Sequence, residues 1–425
     1  MDTEELLGQP YSPRLIDSLV QESLQAAGAV LIEGPRACGK TMTATHAAAS
    51  MVKLDDPVAA AMMAHAPEAV LEGAQPRLLD EWQLAPDLWN LVRRLVDASS
   101  RPGLFLLTGS AVPADDITRH TGAGRFLRLR QRTLTWHERR GTSGDGVSLG
   151  GLFNGQTPAA RPEPAMTYAD VLSELTRPGF PALATRSPKF SHRLLRAYMD
   201  DVARTDVPKL IDMRHDPIVI RRLIDALARR VASETSYAGL AADLIDVAPG
   251  IKNETVALYF DTLERLFFVE RQPAWTPRLR SRARLRSAAK VHLADPALSI
   301  AALGVDATGL QADPATAGRL FESAVVHDLL VLSAPLEGDV RYYRDSNGYE
   351  IDAVVTLPGG RWGAVEVKLG GIQAGPGAQA LNKAIGQLDP ASVRPPEFRL
   401  VVTGTGGTYV MSDGTVTCPL AALGP

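Results

Sequence analysis

Three groups of residues have types and spacings that could do chemistry. The first is Gly34-Pro35-Arg36-Ala37-Cys38-Gly39-Lys40-Thr41, a G-x-x-x-x-G-K-T run. Glycines let the backbone turn its N–H groups inward, and the N-terminus of a following helix adds partial positive charge, so such a loop is suited to cradle phosphates. Lys40 would put a point charge on the β- and γ-phosphates, and Thr41 a hydroxyl on Mg²⁺. The expected nucleotide-contacting stretch is Gly34, Pro35, Arg36, Ala37, Cys38, Gly39, Lys40, Thr41 and Met42; the plain alternative is a chance match on a tight strand-to-helix turn. The second group is Asp80-Glu81, behind the apolar run that follows Pro76. Asp80 would hold Mg²⁺, usually through water, and Glu81 would orient or deprotonate an attacking water. An acidic N-cap for the next helix is the alternative, and both roles can coexist. The third group is Asp352, Glu366 and Lys368, spaced D-x13-E-x-K. A surface salt-bridge trio on a half-exposed sheet is its plain reading.

Smaller signals surround these groups. Thr108-Gly109-Ser110 ends an apolar run, and either hydroxyl could help position a water; Ser110 joins Glu81 in the expected catalytic set, with ordinary turn chemistry as the alternative. Arg125, after Gly124, could act as an arginine finger on the γ-phosphate or be a surface arginine in an arginine-rich chain. Only eight of the 45 basic residues are lysines, so each lysine raises the question why arginine was not used.

The elements that must position these residues are legible in outline. Ala29–Glu33 reads as a short apolar strand, and a helix is expected over 42–50, so the phosphate loop has the strand–loop–helix setting it needs. Leu88, Leu91, Val92, Leu95 and Val96 fit a helix over 86–97, and strands are expected over 104–107 and 126–130. The stretch 141–164 is rich in Gly and Pro and reads as a loop or linker, and punctuation recurs over 304–317. Helices are expected over 194–202, 218–231 and 236–244, then one over 254–266 capped by Asn253, then a strand over 267–272. That order resembles a winged helix. The fourth of these helices carries Glu254, Asp261 and Glu264 against Arg265, which favours a structural or subunit-contact role over DNA reading. Arg278, Arg280, Arg282, Arg284 and Arg286 alternate, followed by Lys290, and could track a phosphate backbone or form a docking strip. In the last part a helix is expected over 319–332, with strands over 341–344, 351–357 and 362–367. A three-residue Pro358–Gly360 loop would oppose Leu357 to Arg361 and bring Asp352 opposite Glu366, on one face with Lys368; a two-residue loop would flip Asp352 away.

Composition limits the setting. The chain has 425 residues, 45% hydrophobic and 22% charged, enough for sizeable cores and about three domains. A net charge of −3 excludes a histone-like polycation but not a local nucleic-acid patch. Two cysteines cannot build a disulfide framework, no apolar run is long enough for a membrane span, and the acidic N-terminus lacks a signal-peptide core. A cytoplasmic protein with no membrane partner is expected.

In this order, LIEGPRACGKT, KLDDP, RLLDEWQLAP, LFLLTGS and GRFLRLR resemble a large group of prokaryotic AAA-type ATPases in which the ATPase is fused to a C-terminal domain of unknown function. RPGFPAL, YMDDVARTDVP, KVHLADPAL and EIDAVV…AVEVK extend the likeness over nearly the whole chain. The resemblance implies an ASCE-type P-loop fold, ATP binding and a nuclease-like tail. Two departures stand out: Cys38 replaces the usual Ser or Thr, and TLTWHERR replaces the common continuation after Arg125. D-x13-E-x-K resembles the metal-dependent PD-(D/E)xK nuclease-like fold. There Asp352 and Glu366 would hold Mg²⁺, Lys368 would activate water or stabilise the phosphorane, Glu322 would complete the metal site, and Gln387 is a weaker candidate. The expected architecture is α/β: a P-loop ATPase domain with a parallel sheet over 1–140, a linker over 141–164, a helical winged-helix-like middle over 165–303, and an α/β nuclease-like domain over 304–425. The expected function is a nucleotide-driven switch or motor using ATP and Mg²⁺ on nucleic acid, DNA favoured, with homo-oligomerisation left open. The alternative is an ATP-regulated binding or signalling module whose tail does not cut.

Overall fold

The computed structural model describes residues 11–99, 101–111, 124–140, 146–164, 166–211, 216–276 and 288–425. They fall into two compact units. One is made from Met1–Thr133, Lys209–Asp212 and Asp261–Phe268; the other from Leu134–Pro208, Met213–Phe260 and Val269–Pro425. Most of the middle stretch shares the second unit with the last, while Lys209–Asp212 and Asp261–Phe268 belong to the first.

In the first unit, five short strands form one parallel sheet: β1 (Ala29–Glu33), β2 (Ser50–Lys53), β3 (Arg77–Asp80), β4 (Phe105–Gly109) and β5 (Phe126–Arg130), in the order β2-β3-β4-β1-β5. Alternate residues of each strand serve opposite faces. Leu31, Leu79, Phe105 and Leu107 pack on one side with Trp82, Trp89, Val92 and Val96. Val30, Ile32, Leu78 and Leu106 pack on the other with Val20, Leu24 and Ala44. Buried on both faces, β1 and β4 read as continuous apolar runs, as parallel strands do. All five strands end at one edge of the sheet, so the turns after β1, β3 and β4 are neighbours. Helix Lys40–Ala47 starts earlier than the 42–50 expected, and Leu88–Ser99 is close to its expected span.

The second unit holds the remaining strands: β6 (Val147–Ser148), β7 (Ser233–Glu234), β8 (Val269–Gln272), β9 (Lys290–Leu293), β10 (Asp339–Arg344), β11 (Glu350–Leu357), β12 (Arg361–Lys368), β13 (Arg399–Thr403), β14 (Tyr409–Val410), β15 (Val416–Pro419) and β16 (Leu423–Gly424). Helices Pro217–Arg229, Tyr237–Asp243 and Asn253–Arg265 accompany a three-stranded sheet ordered β7-β9-β8. A six-stranded mixed sheet, β10-β11-β12-β13-β15-β14, follows helix Pro314–Ser333, and helix Ala374–Ile385 connects β12 to its parallel neighbour β13. Within the α-β-β-β-α-β order, β11 and β12 both lie inside the sheet rather than at its edges. Leu357 pairs with Arg361 around Pro358–Gly360, so the three-residue alternative for that loop is the one adopted.

Part of the stretch read as a linker is ordered packing instead. Ser148 caps helix Leu149–Phe153 by accepting from Gly151 N at 2.8 Å, and Leu149, Leu152 and Phe153 are buried. Their spacing suits a single buried helical turn, too short to stand out among the glycines. The helix expected over 319–332 is longer, because Asp313 caps it and Pro314 occupies its first turn. The alternating arginines Arg278 to Arg286 lie outside the described residues.

Candidate functional site

The G-x-x-x-x-G-K-T residues form the turn between β1 and helix Lys40–Ala47 at the sheet's C-terminal edge. Two backbone positions give the loop its shape: Gly39 has φ 102° and Ala37 has φ 65°. Gly34 is required by space rather than φ, since a Cβ there would sit 2.1 Å from Gln131 O. Cys38 is fully buried, with Sγ 3.6 Å from the same carbonyl, whereas Arg36 and Ala37 are exposed. Lys40 is 5% exposed, and its Nζ donates to Gly34 O at 3.0 Å and Pro35 O at 2.9 Å. The ammonium is thus held over the mouth of the loop by the loop's own carbonyls. Met42 lies in the first turn of the helix.

The carboxylate pair meets this loop through hydroxyls. Thr41 Oγ1 donates to Asp80 Oδ1 at 2.9 Å, and Thr108 Oγ1 donates to the same oxygen at 2.5 Å. Thr108 Oγ1 in turn accepts from Glu81 N at 3.0 Å, using its single donor and an acceptor lone pair. Glu81 is left-handed, with φ 59°, which turns its side chain away from the direction of β3. Its Oε2 accepts from Ser110 Oγ at 3.1 Å and from Gln83 Nε2, which also lies 3.1 Å from Ser110 Oγ. Burial raises the Asp80 carboxyl above its ordinary range; the Thr108 and Thr41 bonds pull it back, and the charge of Glu81 pushes it up again. Lys40, Thr41, Asp80, Glu81 and Ser110 are therefore gathered at one edge, with Thr108 as their hub.

Arg125 is not among them. It precedes β5, whose first residue pairs with Ala29 at the start of β1, and its side chain is paired with Asp97. Five residues of strand at ~3.3 Å each put it about 16 Å from the phosphate loop, at the opposite edge of the sheet.

Two supports escaped the sequence reading. Arg14, 8% exposed, donates to Cys38 O at 3.0 Å and Arg132 O at 2.9 Å, tying the phosphate loop to the chain beyond β5. Gln131, 1% exposed, donates to Thr43 Oγ1 at 3.1 Å and Cys38 O at 3.4 Å. Neither belongs to a local pattern; each acts on a loop distant in sequence.

A second cluster lies in the other unit. The β11–β12 ladder ends at Ala353 paired with Val365, one residue short of Asp352 and Glu366, and Asp352 Oδ2 accepts from Val367 N at 2.8 Å. Lys368 Nζ donates to Glu366 Oε1 at 2.7 Å. Glu322, on helix Pro314–Ser333, is linked to β11 through Lys290, which also pairs with Glu350. Burial, then the charge of Asp352, pushes Glu322 up to about 8 and Glu366 up to about 7, against the pull of Lys290 and Lys368 respectively. Burial also raises Asp352. Lys290, which the sequence placed only at the end of an arginine strip, joins the cluster: Nζ is 2.7 Å from Glu322 Oε1 and 2.6 Å from Glu350 Oε1. Gln387 stays outside, exposed and donating to Lys383 O at 3.5 Å. Among the described residues, no group of three or more His, Cys, Asp or Glu is disposed to hold a metal ion.

Comparison with known proteins bears on the stretches that hold these clusters. Residues 26–139 match an AAA domain. Residues 170–309 match a domain of unknown function (DUF8612), and residues 317–423 another (DUF4143). An uncharacterized protein of Mycobacterium tuberculosis is 28% identical over 352 residues, covering 81% of this chain and 71% of that protein; one of Mycobacterium bovis matches equally. Among solved structures, a Walker-type ATPase of Pyrococcus abyssi is similar at 10% identity and TM-score 0.40, over 69% of this chain and 98% of that one. AMPPCP-bound DnaA from Aquifex aeolicus is similar at 14% identity and TM-score 0.24, over 58% and 86% of the two chains. The stretch that matches the AAA domain model contains the five strands of the parallel sheet.

Proposed function

We propose that the chain is an ATP-hydrolysing switch, with ATP as the substrate on residues Gly34 to Met42 and Glu81 as the base that takes the proton of the attacking water. One observation carries the reading: Thr108 joins Asp80 to the Glu81 backbone while Thr41 reaches the same Asp80 oxygen at 2.9 Å. Lys40 would exchange its two loop carbonyls for phosphate oxygens. Thr41 and Asp80, a hydroxyl and a carboxylate in contact, are hard oxygen donors that suit Mg²⁺, and would hold it. Bound there, Mg²⁺ would offset charge on the β- and γ-phosphates. Ser110 and Gln83 fix the Glu81 carboxylate, so Ser110 acts by positioning the base. Arg125, at the other edge of the sheet, is left a role only on a neighbouring subunit, so a homo-oligomer belongs to the proposal. Among the described residues no helix is long and apolar enough to cross a membrane, and both cysteines are free and buried; a cytoplasmic setting suits them.

In the leading reading the switch acts on nucleic acid, DNA first, through a PD-(D/E)xK-like tail. Its support is the α-β-β-β-α-β order and the gathering of Glu322, Asp352, Glu366 and Lys368. A specific observation favours a second reading, a tail that binds or signals without cutting: Lys290 and Lys368 already occupy an oxygen of each of Glu322, Glu350 and Glu366. As arranged, these carboxylates do not fit a divalent ion, and no cleavage step through one is derived.

Glu81→Gln tests the ATPase: it should retain ATP while turnover falls by about 10²-fold or more. Wild-type turnover in this variant would remove Glu81 as the base. Incubation with single- and double-stranded DNA and RNA in Mg²⁺ or Mn²⁺ separates the two tail readings. Cleavage abolished by Lys368→Ala supports a nuclease; absence of cleavage, or cleavage unchanged by that substitution, supports the binding module.

A further inference from the structure

The carboxylate cluster of the second unit has a cation of its own, delivered from a different sheet. Asp352 and Glu366 stand on β11 and β12, whereas Lys290 opens β9, the central strand of the three-stranded sheet. Its side chain is 5% exposed, with Nζ 2.7 Å from Glu322 Oε1, 2.6 Å from Glu350 Oε1 and 5.4 Å from the Tyr342 ring centroid. The strand that carries it is braced to the same elements. His292 Nδ1 lies 3.0 Å from Ser323 Oγ, next to Glu322 in sequence, and Nε2 lies 3.2 Å from Gln272 Oε1. Gln272 Nε2 donates to Asp352 O at 2.8 Å and Arg341 O at 3.1 Å. The ammonium is therefore held in place from both ends of its strand's side-chain contacts.

Charge alone does not decide what else the cluster takes. Among the described residues, the four carboxylates Glu322, Glu350, Asp352 and Glu366 outnumber their two paired cations, Lys290 and Lys368, a formal deficit that a divalent ion or protons could meet. The oxygens decide. Glu322 and Glu350 each give one to Lys290, Glu366 gives one to Lys368, and Asp352 gives one to Val367 N. What is left includes no convergent set of three ligands among the described residues. A buried ammonium with two direct carboxylate partners is costly to displace, because leaving would strand charge on both sides.

We infer that Lys290 Nζ is the resident cation of this pocket in place of a divalent metal, so the folded chain has no tight divalent site there and gains one only when that ammonium is removed. The inference is independent of ATP hydrolysis in the first unit. Its test is a Mn²⁺ titration of the full-length, nucleotide-free chain, followed by the electron paramagnetic resonance of free Mn²⁺. Any site lost on Asp352→Asn is assigned to this pocket. Wild type and Lys290→Arg should show no such site. Lys290→Gln should gain one per chain, at least tenfold tighter than any wild-type binding, and lose it in the double variant with Asp352→Asn. An Asp352-dependent Mn²⁺ site in wild type overturns the inference, as does a folded Lys290→Gln chain that gains none. If Lys290→Gln fails to fold, the wild-type titration decides by the same criterion.

Discussion

Replacing Thr108 with valine removes one hydroxyl from the hub of the candidate nucleotide site. That hydroxyl donates to Asp80 Oδ1 at 2.5 Å and accepts from Glu81 N at 3.0 Å. Thr108 has no exposed surface, so water cannot replace it. Losing a bond to a charged group costs about 1.5–3 kcal/mol, and a stranded backbone N–H costs about 1 kcal/mol more, which gives about 2.5–4 kcal/mol together. Glu81 sits in the left-handed region, a conformation worth about 1–2 kcal/mol of strain that its tether to Thr108 helps to hold. Without the tether the backbone relaxes and the carboxylate moves off its mark. Urea denaturation should show the first unit destabilised by about 2–4 kcal/mol. A steady-state ATPase assay should show kcat lower by roughly 10- to 100-fold, with ATP affinity within about threefold because the phosphate loop is untouched. Asp80 also loses a bond that holds its carboxyl down, so the acid limb of the pH–rate profile should move to higher pH. Thr108→Ser keeps the hydroxyl and should restore most of the rate. A valine variant with wild-type stability and turnover would refute the role given to Thr108.

Other consequences follow from particular contacts. Arg14→Ala leaves Cys38 O and Arg132 O without their guanidinium donor, and calorimetry should find ATP bound about tenfold more weakly, with about 2–4 kcal/mol lost from stability. Arg125→Ala breaks a half-exposed pair with Asp97; stability should change by about 1 kcal/mol or less and ATP affinity of the single chain not at all. In the second unit, Glu322 at about 8 and Glu366 at about 7 bind protons in the folded state that an unfolded glutamate, near 4.5, releases. Their stabilising contribution is full below the unfolded value and is lost as pH rises through about 7 to 8. Thermal denaturation across this range should therefore show falling stability, with a shallower slope in Asp352→Asn, where the like charge that raises both groups is gone.

Much of the first unit was legible because its chemistry is local. Ala29–Glu33, the GPRACGKT loop and the helix behind it are contiguous, and a parallel sheet needs its turns at one edge, which brings Asp80, Glu81, Thr108 and Ser110 to the same place. The register of β11 against β12 was readable for a similar reason: one loop length sets the pairs behind it, from Leu357 with Arg361 to Ala353 with Val365. Contacts between distant segments left no such mark. Arg14 reaches Arg132 across 118 residues, and Lys290 reaches Glu322 across 32. Lys290 read only as the end of the arginine strip, whereas its neighbours in space are carboxylates. Where Arg125 lies could not be read, because a Gly-Arg pair says nothing about which end of the strands it occupies.

The most direct measurement of the central claim is calorimetric titration of the full chain with ATP in the presence of Mg²⁺, for wild type and Lys40→Ala. One ATP taken up per wild-type chain, and none or far weaker uptake by Lys40→Ala, is the result this geometry predicts. No uptake by the folded wild-type chain, or equal uptake by Lys40→Ala, would contradict it.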